Sequence, residues 1–324
     1  MILAIHMAAA SVDDVFNVSD TASLQLAAQQ CSTLGIGSSA IVNLSPGTYI
    51  VDEPIVFQGP GSLRLQSNSG GPALIQCSPD NSQGSALQLS ANSSLALQGI
   101  AFSDCASTAV QISMVVSDET ASVSISACSF TNCSGLPAGA LLVSTVAAEG
   151  RPAEALATTG VTMTGCTFQS SNVAPPSDPL SGPSDMTGHA AVIAAGDGVA
   201  LGVVIEGNSA FLSSGDLTPA GESGASVLYV GCGASLDPET VPPPPCSLRL
   251  SNSLWSLNSA VASSGALMNC SGAPSCSLEI DTCKFESNAH SFINRELDIS
   301  VGDGFKVRSV SVILIDGSGG LLPF

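Results

Sequence analysis

The groups in this chain from which chemistry could be built are its eleven cysteines, three histidines and seven basic residues, and their spacing narrows what that chemistry is. Cys232 and Cys246 bracket the proline-rich segment ASLDPETVPPPP, and Cys270 and Cys276 bracket a shorter loop. The second cysteine of each pair opens the same strand phrase, CSLRL in one case and CSLEI in the other. Two pairs that close loops at equivalent points predict two disulfides, Cys232 with Cys246 and Cys270 with Cys276, and disulfides persist in oxidising compartments. Cys128, Cys166 and Cys283 fall inside the repeated phrase itself and read as buried thiols acting as small apolar side chains. No CxxC pair is present and the histidines are isolated, so the spacing predicts no metal site.

Acid–base chemistry finds less support. Abstracting a proton or protonating a leaving group needs several charged groups on one exposed face. Arg64, Arg151, Arg249, Lys284, Arg295, Lys306 and Arg308 are scattered, and none sits in a run of acidic and polar residues. His189 follows a proline-rich insertion and His290 follows Asn288-Ala289, which reads as loop or surface in both cases. Asp185, His189 and a serine could be assembled into a triad, but serine is so abundant that the coincidence has no weight. Gly35-Ile36-Gly37 lacks the third glycine and the strand–helix context of a nucleotide site. Asp52-Glu53, Asp118-Glu119 and loop carboxylates could offer oxygen to calcium, without EF-hand-like or RTX-like spacing, and no cofactor is predicted. Twenty-six acidic residues against seven basic give a net charge of −19, which argues against nucleic acid and anionic membrane surfaces as partners. No apolar run reaches membrane-spanning length, so no membrane insertion is predicted.

The elements that must position these groups announce themselves as a repeat. A short apolar strand, a small residue and then an aromatic recur as SLALQGIAF from Ser94, SVSISACSF from Ser122, GVTMTGCTF from Gly160, GVVIEGNSAF from Gly202, SLRLSNSLW from Ser247 and SLEIDTCKF from Ser277. Such a repeat, at intervals of a few tens of residues, predicts a solenoid in which each unit stacks on the next. Val123 and Ile125 alternate with Ser124, as Leu248 and Leu250 do with Arg249, which is the period-two pattern of a strand with one buried face. The column Gly99, Ala127, Gly165, Gly207, Asn252, Thr282 reads as a sharp turn. Beyond it, Phe102, Phe130, Phe168, Trp255 and Phe285 are expected to stack as an internal ladder. Phe211 comes one residue late, predicting a bulge or a register slip in that copy. Arg249 and Glu279 share an outward column of successive repeats and are expected to pair across rungs.

The composition fits one all-β domain of tight coils: 32 Gly, 19 Pro and few aromatics argue against a helical protein. An N-terminal segment and capping helix are expected over 1–34, with Asp20 as N-cap of TASLQLAAQQC, and the solenoid over 35–324. The helix is expected to cover the first rung against edge-to-edge pairing. Loop insertions are expected near 147–159, 172–188, 214–224 and 233–245. Because each falls at a similar point of its repeat, all are expected to leave at one corner, a natural binding surface.

The segments FTNCSGLPAGALLV from Phe130 and WSLNSAVASSGALM from Trp255 resemble the FxxN and GGAI repeats of polymorphic outer-membrane proteins, the autotransporter adhesins. Asn258 and Asn288 take the asparagine position, and Cys105, Cys133 and Ser171 replace it elsewhere. The N-terminal part, with AIVNLSPGTYIVDEPIVF from Ala40, resembles the pectin-lyase-like superfamily. These resemblances imply a single-stranded right-handed parallel β-helix. They also imply a secreted or cell-surface protein with a structural, adhesive or carbohydrate-binding role through its corner loops, its partner an extracellular polysaccharide or protein. The alternative they carry is a polysaccharide lyase or glycoside hydrolase. MILAIHMAAAS reads as a degenerate signal peptide, and sequons at Asn17, Asn43, Asn92, Asn132 and Asn269 would permit glycosylation. The C-terminal end, RSVSVILIDGSGGLLPF, has no closing amphipathic helix and is expected to meet further chain or a partner.

Overall fold

A computed structural model describes residues 13–35, 37–79, 85–116, 120–134, 138–150, 156–171, 189–214, 226–232, 244–256, 258, 263–269, 276–286 and 306–315. It is all-β apart from one helix among these residues. A first strand, β1 (Asp13–Val18), leads into α1 (Thr21–Cys31), and strands then follow in threes. In chain order these are β2 (Ser39–Leu44), β3 (Gly47–Val51) and β4 (Ile55–Phe57); β5 (Ser62–Ser67), β6 (Ala73–Cys77) and β7 (Leu87–Ala91); β8 (Ser94–Gln98), β9 (Ile100–Ser103) and β10 (Val110–Val116). They continue as β11 (Thr120–Ser126), β12 (Ser129–Thr131) and β13 (Ala138–Ala147); β14 (Ala157–Thr164), β15 (Thr167–Gln169) and β16 (His189–Ala195); β17 (Val199–Glu206), β18 (Ala210–Leu212) and β19 (Ser226–Gly231); β20 (Cys246–Ser251), β21 (Leu254–Ser256) and β22 (Ser263–Asn269). Two long strands end the series, β23 (Cys276–Glu286) and β24 (Lys306–Ile315).

Every strand of a triplet pairs in parallel with its counterpart three places on. The first face stacks β1, β2, β5, β8, β11, β14, β17, β20 and β23. The second stacks β3, β6, β9, β12, β15, β18, β21 and the latter part of β23. The third stacks β4, β7, β10, β13, β16, β19 and β22. Parallel pairing of this kind exposes a strand to apolar neighbours above, below and inward, and the alternation of buried and exposed residues follows: β11 reads exposed, buried, exposed from Thr120 onward.

The aromatic column is continuous through the core. Ring centroids lie 5.0 Å apart from Phe102 to Phe130, 4.8 Å from Phe130 to Phe168, 4.7 Å from Phe168 to Phe211 and 4.0 Å from Phe211 to Trp255, with planes within 12° of parallel. The backbone register continues from Trp255 to Phe285. Phe211 is therefore a full member of the ladder, and neither strand of its rung slips. The extra residue is absorbed in the corner, where Gly207 and Asn208 both adopt positive φ, 68° and 63°. Only one residue, such as Ala127 at 50° or Gly165 at 62°, does so at the same corner of the neighbouring rungs. Two left-handed residues in a row lengthen the turn without rotating the next strand, so the aromatic still points inward.

The N-cap of α1 forms as its sequence implies: Asp20 accepts from the backbone N–H of Ser23 at 2.7 Å, and the Ser23 hydroxyl accepts from the Asp20 N–H at 3.1 Å. The Ser23 N–H, together with the Ser23 hydroxyl donating to the carboxylate at 2.8 Å, holds the Asp20 carboxyl below its ordinary pKa. Leu24, Ala27, Ala28 and Cys31 pack down on the first triplet. The helix does not shield every edge, however. β1 precedes it and adds one more parallel strand beside β2, so the edge of the first face is a strand carrying Asp13 and Asp14, and charge takes over the protective role.

The insertions do not share one corner. The segment near 147–159 joins the third face to the first, and so does 233–245; those near 172–188 and 214–224 join the second face to the third. They leave at two corners, one on each side of the third face, and not at one. The repeated phrase marks the first and second strands only, so a segment following the aromatic can precede or follow the unmarked third strand. Within the first of these spans β13 runs on to Ala147 and β14 begins at Ala157; most of the other three lies outside the described residues.

Two buried hydroxyls on the strands that flank that third-to-first corner have no hydrogen-bond partner among the described residues, Thr145 on β13 and Thr159 on β14, exposed by 1% and 0%. A stranded hydroxyl costs about 1–3 kcal/mol of desolvation, and valine has the same shape without it. Thr159→Val is therefore expected to stabilise the fold by about 1 kcal/mol, read as a rise in the urea midpoint at unchanged slope; an unchanged or lowered midpoint would show that the hydroxyl is satisfied.

Candidate functional site

The outer surfaces of the three faces differ, and that difference locates the candidate site. On the third face Val192 and Tyr229 stand in the outward column by register, yet are 0% and 5% exposed, packed with Ala138, Leu142 and Ala194 in a second apolar cluster. Around these residues the third face is covered. The first face is open and polar over its early rungs.

Three outward columns run side by side there. The first is Asp13, Ser39, Ser62, Ser94, in register from β1 to β8. The second passes through Ile41, Arg64 and Ala96. The third is an amide ladder in which Asn43 Nδ2 donates to Asn17 Oδ1 at 3.1 Å and Gln66 Nε2 donates to Asn43 Oδ1 at 2.8 Å. Because each side chain of the ladder is held by its neighbour on the next rung, its remaining donors and acceptors are fixed in direction. Asn17 and Asn43 of two sequons thus stand on this surface. Between the columns lies a shallow cleft of about 150 Å3 lined by Asp13, Ser39, Ser62, Arg64 and Ser94. Ala96 on the next rung and Ser62 on the same strand leave this cleft open beside Arg64. Its guanidinium is exposed and makes no ion pair among the described residues, leaving a planar fork of donors facing solvent. The arrangement can hydrogen-bond hydroxyls through serines and amides, and an anionic or carbonyl oxygen through Arg64.

The other basic groups do not join it. Arg249 is far along the same face and meets Glu279, Nε to Oε2 at 3.9 Å with both side chains about half exposed, a contact worth about 0–1 kcal/mol. Lys284 belongs to β23, and Lys306 and Arg308 to β24. His189 opens β16, its backbone paired with Ala138, so of the loop and surface readings the loop one does not hold. Arg151, Asp185, Arg295, His290, Asp118 and Glu119 lie outside the described residues; Asp52 and Glu53 are exposed between β3 and β4.

The cysteines divide as follows. Cys232 and Cys246 form a disulfide across 14 residues, as does the pair Cys77 and Cys105 across 28. The second pair was not expected. The only trace of it in the sequence is the interval, 28 residues, which also separates Phe102 from Phe130 one rung on. Cys276 is disulfide-bonded, while Cys270 lies outside the described residues. Cys128, Cys133 and Cys166 are free and buried, and desolvation pushes the first two thiols up to about 12, which leaves them inert as nucleophiles. Cys283 is likewise free and buried. The asparagine column has a structural meaning: Asn258 Oδ1 accepts from the Ser214 N–H at 3.0 Å and Ser214 Oγ accepts from the Ser171 N–H at 3.4 Å, so each side chain satisfies the backbone of the rung before it.

No family model matches the chain, and no curated protein matches it. No helix among the described residues is long and apolar enough to cross a membrane.

Proposed function

We propose that the chain is a right-handed parallel β-helix of pectin-lyase-like architecture that binds an extracellular polysaccharide along the outer surface of its first face. The cyclic order of the three faces and the i to i+3 pairing support the β-helix, and the right hand follows from the preference of parallel crossovers. The observation that carries the binding reading is the cleft around Arg64, where hydroxyl and amide columns repeat once per rung on a rigid, open surface. An extended sugar polymer presents hydroxyls that repeat along its own length, so one interaction can recur from rung to rung. The two described disulfides support an oxidising location, outside the cell or on its surface. An adhesive, structural role with loops contributing at the two corners beside the third face is compatible with the same surface.

Affinity electrophoresis through neutral and uronic-acid polysaccharides tests this. At least one polymer is expected to retard the protein, and Arg64→Ala is expected to weaken that binding about 10- to 100-fold, the worth of a hydrogen bond to a charged group. Absence of retardation by every polymer, or full retention by the variant, would remove the reading. Depolymerisation above a heat-killed control would replace it with a lyase or hydrolase.

A further inference from the structure

Three sulfurs converge at the corner between the third face and the first, where the 233–245 insertion leaves and rejoins the stack. Cys232 directly follows β19, Cys246 is the first residue of β20 and Cys276 is the first residue of β23. Cys246 and Cys276 are register partners on adjacent rungs. The Sγ atoms of all three lie within 4.8 Å of one another, and Cys232 Sγ is 4.0 Å from Cys276 Sγ although these two are not bonded to each other. Among the described residues no other group of three histidine, cysteine or carboxylate ligands comes together. Parallel pairing holds Cys246 beside Cys276, and the end of β19 brings Cys232 to them.

We infer that this cluster has a second chemical state: when its disulfides are reduced, Cys232, Cys246 and Cys276 form a thiolate site for zinc or a similar thiophilic divalent ion. Zinc bonds to sulfur at about 2.3 Å in tetrahedral geometry, which places two ligand sulfurs about 3.8 Å apart. Cys232 and Cys276 already stand at 4.0 Å, and Cys232 and Cys246, bonded to each other, move apart when their bond is reduced. Cys246 and Cys276 are 2% and 5% exposed, so the surroundings are dry enough to strengthen the metal–thiolate bonds, and three protein ligands leave a fourth position for water. The redox step balances. Each disulfide accepts two electrons and two protons from two low-molecular-weight thiols, which leave as their own disulfide. The metal then displaces the protons of the three thiols. In an oxidising compartment the cluster is a set of bridges; in a reducing one it is a metal site.

The test uses the full chain. Under anaerobic conditions a phosphine reductant cleaves the disulfides, taking up oxygen from water as the phosphine oxide, and is removed before cobalt(II) is added. A thiolate-to-cobalt charge-transfer band with tetrahedral ligand-field absorption is expected, saturating at one cobalt per chain and bleached by zinc. It is expected to be absent from the oxidised protein and from reduced Cys246→Ser, and retained in reduced Cys105→Ser, with circular dichroism showing that each variant keeps its β signal. No charge-transfer band in the reduced wild type would overturn the inference. So would an equal band in Cys246→Ser, which would put the metal elsewhere, and so would loss of the β signal on reduction, because the strands are required to hold the sulfurs in place.

Discussion

Phe168→Ala is expected to cost about 3–5 kcal/mol of stability. Its ring is fully buried between Phe130 at 4.8 Å and Phe211 at 4.7 Å, so truncation empties a space with aromatic walls above and below. Stacked rungs cannot close this gap. Each is held at its spacing by backbone hydrogen bonds on three faces, and the usual relief of a cavity by inward collapse is blocked. Two further losses add to the transfer term, the stacking on each neighbour. Denaturation monitored by circular dichroism checks this, with Phe16→Ala, a partly buried residue of the edge strand, as comparison. A loss below about 1 kcal/mol for Phe168→Ala would mean that the column is not packed as a continuous ladder.

Removing the Cys77–Cys105 bridge is expected to cost about 3–4 kcal/mol. The bond closes 28 residues of chain, one whole rung, and the loop-closure entropy returned to the unfolded state on cutting it is of that order. Both cysteines are buried, so Cys77→Ala with Cys105→Ala leaves no stranded polar group, and the change reports the covalent link. The bridge staples β6 to the segment after β9, near the N-terminal end of the stack, and the loss should appear first there, as faster amide exchange in β3, β6 and β9 than in β14 and β17. Solenoids transmit stability from neighbour to neighbour, so uniform acceleration along the chain would contradict this local role.

The amino-acid sequence by itself determined the stacking. Val123, Ile125, Cys128 and Phe130 recur in register with Leu95, Leu97, Ile100 and Phe102 because a parallel stack repeats the same inward positions at every rung, and local chemistry therefore spells out the long-range partners. For the same reason the sequence placed Arg249 beside Glu279, Asp20 at the helix cap and Cys232 within reach of Cys246.

What it did not determine was decided where the repeat gives no mark. The third face has no recurrent aromatic, and its strands vary from the three residues of β4 to the ten of β13, so neither the face nor the two corners beside it could be counted from the phrase. The Gly202 copy seemed out of register because a sequence cannot say whether an extra residue bends a strand or widens a turn. The backbone settled that at Gly207 and Asn208. Cys77 and Cys105 lie in dissimilar local sequences and become neighbours only when β6 and β9 stack. The Arg64 cleft depends on the absence of bulk at Ala96 and on serines brought level from β2, β5 and β8, a property of the assembled surface that no single repeat contains.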